Sequence, residues 1–360
     1  MSTRSLTELH NEMGAELAPD GIPLHYGDQK SEYHAALHTA VLLDRSHEGR
    51  IRVAGSSRHA FLDRMSTNKI DDLVVGEGRP TIITTATGRI VDRVVVYNRG
   101  DHLLLMTGPG RNTPTCNYLR RQIFFGDEIE IVDITESTAQ FAIHGPLVTK
   151  IIGSVFSELS SDHSLHSYDV TLGNSDVTLL RQKPIIGDHW VVIVSKENAS
   201  DIFMELHTLG RSIGLKPAGS LIYNLVRIQT GHPAGTELNQ EYIPLEIGLF
   251  DEISFSKGCY TGQEIIARME SREKLARIMV RLKLSGLVSV PSDVYSDNQK
   301  IGVITSCAGA PDGTFYGLAI VKYDFKEPGT ILTVGKIDAH VLGYAGIPPA
   351  FVTAASPESE

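Results

Sequence analysis

Cysteine is scarce in this chain: Cys116, Cys259 and Cys307 are the only three in 360 residues, too far apart for a disulfide framework or a Cys-x-x-Cys metal site. That scarcity excludes disulfide-stapled secreted folds and zinc ribbons, and it predicts a reduced, cytoplasmic protein. No run of 18 apolar residues occurs anywhere, and Met1 to Asn11 carries Arg4, Glu8 and His10 in place of an apolar stretch. Neither a membrane span nor an export signal is expected. Blocks of like charge are missing too. Lys and Arg total 33 against 43 Asp and Glu, a formal charge of −10, so no direct nucleic-acid partner is expected. No low-complexity linker divides the chain.

What is present is a large apolar reserve, 41% of the residues, enough to build two or three domains around sizeable cores. Arg50 to Ala54 reads as a strand ending at Gly55, and Phe61, Leu62 and Met65 follow at helical spacing. Ala139 to Ile143 reads as a second strand ending at His144-Gly145, with Pro146 opening a helix that carries Leu147, Val148, Ile151 and Ile152. Both passages run strand, glycine turn, helix, which suggests a duplicated α/β unit. Ile90–Tyr97 and His102–Met106 form a predicted hairpin, Trp190–Val194 a buried strand, and Glu197–Gly210 and Ala218–Gln229 helices.

After about Lys274 the texture changes. Arg277 to Leu284 alternates strictly, and turn signals recur at Ser285-Gly286, Pro291 to Asp293, Asp297-Asn298, Pro311 to Gly313 and Pro328-Gly329. Short strands between frequent turns predict a small all-β domain, a barrel, over residues 273–350. The polar tail Ser356–Glu360 is expected to fray. The fold class is therefore α+β: a duplicated α/β region over residues 1–272, possibly of two subdomains, followed by the barrel.

The segment most informative about chemistry is Lys257-Gly258-Cys259-Tyr260-Thr261-Gly262-Gln263-Glu264. Gly258 and Gly262 predict a backbone that turns sharply and enters a helix with Ile265, Ile266 and Met269 facing inward. Cys259 would then stand at or just before a helix N-terminus, where unpaired N–H groups, the dipole and Lys257 all favour an anionic sulfur. A second reading makes Cys259 a small buried hydrophobe, as free cysteines commonly are. All eight positions match the Lys-Gly-Cys-Tyr-x-Gly-Gln-Glu signature, and on it the chain resembles the YgfZ-type proteins, a branch of the folate-binding GcvT superfamily. The aminomethyltransferase branch carries an acid or amide where Cys259 stands. Further pieces fall in the order of that superfamily: Pro23 to Gly27, Asp44, Thr67 to Ile70, His144-Gly145-Pro146 and Leu225 to Gly231.

The resemblance implies a GcvT-like fold and a tetrahydrofolate pocket. Gly88-Arg-Ile-Val-Asp92-Arg93 is similar to the superfamily segment whose first aspartate lies near the reactive folate nitrogens, so Asp92 is the implied catalytic or folate-orienting acid. The plainer alternative puts Asp92 and Arg93 on opposite faces of a strand with one of them solvated. Asp188 stands near the place of a pterin-binding glutamate, and Arg227 matches a pocket arginine, with a surface ion pair as its alternative. Tyr223 either stacks on the ligand or fills the core, and the core is the better fit. Arg93, Pro80 and Gln229 depart from the transferase pattern. The function implied is a monomeric, folate-binding protein that works with iron–sulfur client or assembly proteins through Cys259. A tetrahydrofolate-dependent aminomethyl- or methyltransferase is the alternative, and a folate-binding module with a structural Cys259 is a third. No resident metal site is expected.

Overall fold

The computed structural model describes residues 4–156, 159 and 165–353, so the tail Ser356–Glu360 lies outside the described residues. Two compact units emerge, the first comprising Met1–Phe61, Ile70–Pro80 and Val94–Val226, the second Leu62–Lys69, Thr81–Arg93 and Arg227–Glu360.

The first unit contains a six-stranded sheet in the order Ser167–Leu172, Ser175–Gln182, Asp188–Ser195, Thr138–Gly145, Ala40–Asp44, Leu215–Pro217. Its pairs are antiparallel except the last, where Leu215 lies beside Ala40 in parallel. The central strands Ala40–Asp44 and Thr138–Gly145 are buried nearly throughout, as in a sheet covered on both faces. Helices Val148–Val155 and Ala199–Arg211 bury Ile151, Ile152, Ile202, Phe203 and Leu206 in the core beside Phe141 and Trp190. A second, five-stranded sheet runs Gly78–Thr84, Ile90–Asn98, His102–Pro109, Glu48–Ala54, Glu130–Asp133. Its Ile90–Asn98 and His102–Pro109 strands are the hairpin read from the sequence.

The strand–glycine–helix passage occurs twice, at Glu48–Ala54 with Arg58–Met65 and at Thr138–Gly145 with Val148–Val155. At Gly145 the geometry admits nothing larger. Its φ is +140°, and a Cβ there would sit 2.4 Å from the carbonyl oxygen of Thr39.

In the second unit, strands Arg277–Leu284, Phe315–Lys322, Gln299–Gly309, Ser292–Ser296, Ile331–Val334 and Ile337–Tyr344 close into an antiparallel barrel. Alternation does the work. Along Ile337–Tyr344, Ala339, Val341 and Gly343 point inward while Asp338, His340 and Leu342 face out. The hairpin between Ser292–Ser296 and Gln299–Gly309 turns on Asp297-Asn298, both at positive φ, the conformation that two-residue hairpins need and that these residue types tolerate. Ile278, Val280, Leu282, Val294, Ile304 and Leu318 belong to one buried cluster that also takes in Met279, Ile82, Ile90, Tyr260 and Ile266. Each such fully buried side chain contributes roughly 1.5–3 kcal/mol.

Candidate functional site

The octapeptide lies in the second unit, where Lys257, Tyr260, Thr261 and Gly262 are held by contacts within that unit while Cys259 is left exposed. The Lys257 side chain is fully buried. Its ammonium donates to the carbonyls of Asp63 (2.5 Å), Ser66 (2.9 Å) and Asn68 (2.7 Å), with the Asp63 carboxylate 3.1 Å away. Three N–H donors meet three carbonyls, the full capacity of a lysine. The same ammonium lies 5.4 Å from the centroid of the Tyr260 ring. Tyr260 is buried in the core, and that burial pushes its hydroxyl up to about 12. Thr261 donates its N–H to the Arg64 carbonyl at 3.0 Å and accepts from the Thr84 hydroxyl. Anchored at Lys257 and again at Tyr260 to Thr261, the chain bows outward between them. Gly258 and Cys259 are both exposed there, and a Cβ on Gly258 would meet nothing within 4 Å.

Two expectations are corrected here. The sharp turn is at Gly262 alone, with φ +86°, and not at Gly258. Gly262 is the N-cap and Gln263 the first helical residue of Gln263–Ser271, so Cys259 stands in the preceding loop, three residues before the cap. Helix dipoles act within the first turn and do not extend to that position. Lys257 is likewise committed to the Asp63–Asn68 carbonyls. Of the two readings of Cys259, the buried hydrophobe is also set aside, because the residue is exposed. The other cysteines differ. Cys116 is buried, and burial with nearby Asp133 pushes its thiol up to about 11, while burial also raises that of Cys307.

The Gly88 segment meets the octapeptide within this unit. A Cβ on Gly262 would stand 2.5 Å from the Thr85 carbonyl oxygen and 2.9 Å from Gly88 Cα, so only glycine allows the two turns to approach. Three residues beyond that turn's Arg89, Asp92 is 1% exposed, and one carboxylate oxygen accepts the Arg93 N–H at 2.9 Å. Arg93 alternates to the other face and grips Glu252 with a two-pronged pair, 2.8 Å and 2.6 Å. The departure from the transferase pattern at Arg93 is therefore neutralised inside the same unit. Arg227 is buried, not on a helix surface. Its guanidinium lies 3.3 Å from Glu237 and donates to the Ser306 hydroxyl at 2.8 Å, and Ser306 closes the ring on Glu237 at 2.7 Å.

Asp188 and Tyr223 belong to the first unit. Asp188 pairs with Arg181 at 2.9 Å and accepts from the Thr149 hydroxyl. Tyr223 is half-buried, neither fully core nor free, and carries the Arg45 guanidinium 3.9 Å from its ring centroid. Arg45 in turn holds Glu48 through two contacts, 2.9 Å and 2.6 Å. Burial works to raise the Glu48 carboxyl, but Arg45, His47 and the hydrogen bond outweigh it and hold it below the ordinary value. Arg45 and Glu48 are not among the site residues expected from the sequence. The polar run Asp44 to Glu48, directly after the apolar Ala40–Leu43, was the available signal.

The model of the GCVT N-terminal domain family matches residues 6–257. A chloroplastic protein of Arabidopsis thaliana named "Putative transferase At1g60990" is 30% identical over 333 residues, covering 90% of this chain and 74% of its own. An aminomethyltransferase of Halothermothrix orenii is 28% identical over 346 residues, covering 93% and 95%. The solved glycine cleavage system aminomethyltransferase T of Bartonella henselae superposes with a TM-score of 0.82 at 20% identity, covering 95% of this chain and 97% of that one. At that identity the likeness speaks for the fold. Among the described residues no helix is long and apolar enough to cross a membrane.

Proposed function

Since the chain belongs to the GCVT N-terminal domain family, we propose that it binds a tetrahydrofolate and supports assembly or repair of iron–sulfur clusters in client proteins through Cys259. The observation that carries this reading is the exposed thiol on a loop that is pinned on both sides, at Lys257 and at Thr261. A structural cysteine needs no such scaffold. One thiol cannot hold a cluster, since clusters take about four protein ligands. Cys259 therefore acts with a partner protein, by transient ligation or thiol chemistry, and a rigid outward-facing loop suits a sulfur that must enter another protein's surface. Cytoplasmic, monomeric action fits this role.

Of the implied folate contacts, Asp92 suits a ligand N–H best, because it is a carboxylate almost wholly removed from water, where a charge-assisted hydrogen bond counts most. Arg227 holds Glu237 and Asp188 holds Arg181. When bound, the folate supplies one-carbon chemistry at its ring nitrogens; Asp92 would orient it.

The second reading, a tetrahydrofolate-dependent aminomethyltransferase, is favoured by the names of several relatives. Two experiments separate them. Expression in a strain lacking its own YgfZ-type protein should restore iron–sulfur enzyme activities, and absence of rescue by well-expressed protein would defeat the first reading. Mixed with an aminomethyl-lipoyl carrier and tetrahydrofolate, the protein should release little or no ammonia; robust turnover would establish the second.

A further inference from the structure

We infer that a cleft at one end of the barrel binds a small organic phosphate, at a site separate from the Cys259 loop and from Asp92. The cleft measures about 940 Å³, within the range of small-molecule sites, and all its lining residues belong to the second unit. It is bounded by Arg89, by the loop from Glu273 to Ala276, and by the adjoining ends of strands Arg277–Leu284, Gln299–Gly309 and Phe315–Lys322. Five of its lining residues are cationic and three anionic, so it is basic in a chain whose formal charge is −10. Lys300 is taken up by Asp293, outside the cleft, at 2.8 Å. The other four cations decide what the cleft can hold.

Two of them are held side by side. The Glu241 carbonyl accepts from Arg89 Nη1 at 2.8 Å and also from Arg277 Nη2. The Glu246 carboxylate takes Arg277 Nε at 2.9 Å, with Arg89 3.9 Å away. The buried Tyr242 ring, its centroid 4.8 Å from the Arg277 guanidinium, braces that group from a third side. Both guanidinium groups thus converge on one carbonyl oxygen with a single carboxylate between them. Arg277 Nη1 and the Nε and Nη2 of Arg89 make no hydrogen bond among the described residues, so oriented donors are left over. Lys322 adds a third charge on the same face of the sheet. It is the register partner of Arg277 across the antiparallel ladder, where opposed Cβ atoms stand about 4.5–5.5 Å apart and like charges are destabilising. Arg277 has Glu246, whereas Lys322 and Lys274 have no ion pair among the described residues. Glu273 and Asp324, the remaining acids of the lining, are exposed and pair with none of these cations.

An oxyanion relieves that repulsion. A phosphate monoester carries about two negative charges at neutral pH and three acceptor oxygens. That matches a braced guanidinium pair beside an unpaired lysine better than a single carboxylate does. Half-buried Val303 and Tyr323 give its organic part a wall. Neither Cys259 nor Asp92 lines the cleft, so this site stands or falls independently of the proposed function.

Calorimetric titration of the full chain with phenyl phosphate at fixed ionic strength, with acetate for comparison, tests the site. Phenyl phosphate should bind saturably and acetate at least about tenfold more weakly. Lys322→Gln, at an exposed position, should weaken phenyl phosphate about tenfold or more, the loss of one charge-assisted contact. Arg89→Gln, which leaves Arg277 on Glu246, should weaken it as well. No saturable binding of phenyl phosphate, acetate binding as tightly, or unchanged affinity in either folded variant would overturn the inference.

Discussion

Replacing Lys257 by methionine keeps most of the buried stem and removes the ammonium, leaving the carbonyls of Asp63, Ser66 and Asn68 without their shared donor and the Asp63 carboxylate without its partner. Breaking a buried, hydrogen-bonded charge by deleting one member costs about 3–5 kcal/mol. The lower end applies here, because Asp63 keeps 16% of its side-chain surface in water and rehydrates in part. For a unit of about 150 residues, each kcal/mol corresponds to roughly 2–4 °C in Tm, so a fall of about 6–12 °C is expected. Calorimetry measures the total, and hydrogen exchange of the amides from Lys257 to Thr261 locates it. Exchange there should accelerate more than in the barrel strands, because the loop loses one of its two anchors. A stability loss under about 1 kcal/mol, or a loss spread evenly with no local acceleration, would refute the clamp.

Three other outcomes follow from particular groups. Asp92→Asn should weaken tetrahydrofolate binding about tenfold or more by calorimetry, since the neutral amide forfeits a charge-assisted hydrogen bond; unchanged affinity would remove Asp92 from the pocket. His47 and His207 both titrate below the ordinary 6.5 in the folded chain, through burial and then through Arg45 and Arg211 respectively. The unfolded chain takes up those protons first as the pH falls. Stability present above pH 6.5 should therefore be lost as the pH drops through the lowered folded values, and urea midpoints should show a shallower fall for His207→Gln than for the wild type. In a limited alkylation experiment near neutral pH, mass spectrometry should find the label on Cys259 well before Cys116, whose thiol is buried and pushed up to about 11; label appearing first on Cys116 would contradict the placement of both.

The barrel was legible in the sequence because its signals are local: alternation in Arg277–Leu284, and turn residues such as Asp297-Asn298 whose backbone preferences suit the turn they make. The strand–glycine–helix passages were legible for the same reason, with Gly55 and Gly145 marking each strand's end. What stayed hidden is set by distant pairings. Lys257 reaches carbonyls nearly 200 positions earlier, which no periodicity encodes, whereas its place two residues before Cys259 suggests a charge serving the neighbouring sulfur. Arg227 finds Ser306 across 79 positions, so a helix arginine that suggests a surface pair is buried instead. The helix start was displaced because both glycines of the octapeptide offered a turn, and only contact with Gly88 selects Gly262. His10, Tyr26 and Asp44 come from three separate segments and form a chain only in the fold.

The central claim is that Cys259 acts chemically, and Cys259→Ser tests it most directly. The residue is exposed on a loop held by other groups, so serine should leave Tm and folate affinity nearly unchanged. In a strain lacking its own protein of this kind, the variant should be produced at wild-type level and fail to restore iron–sulfur enzyme activity, while Cys116→Ser and Cys307→Ser restore it in proportion to folded protein. Full restoration by stably folded Cys259→Ser would contradict the account.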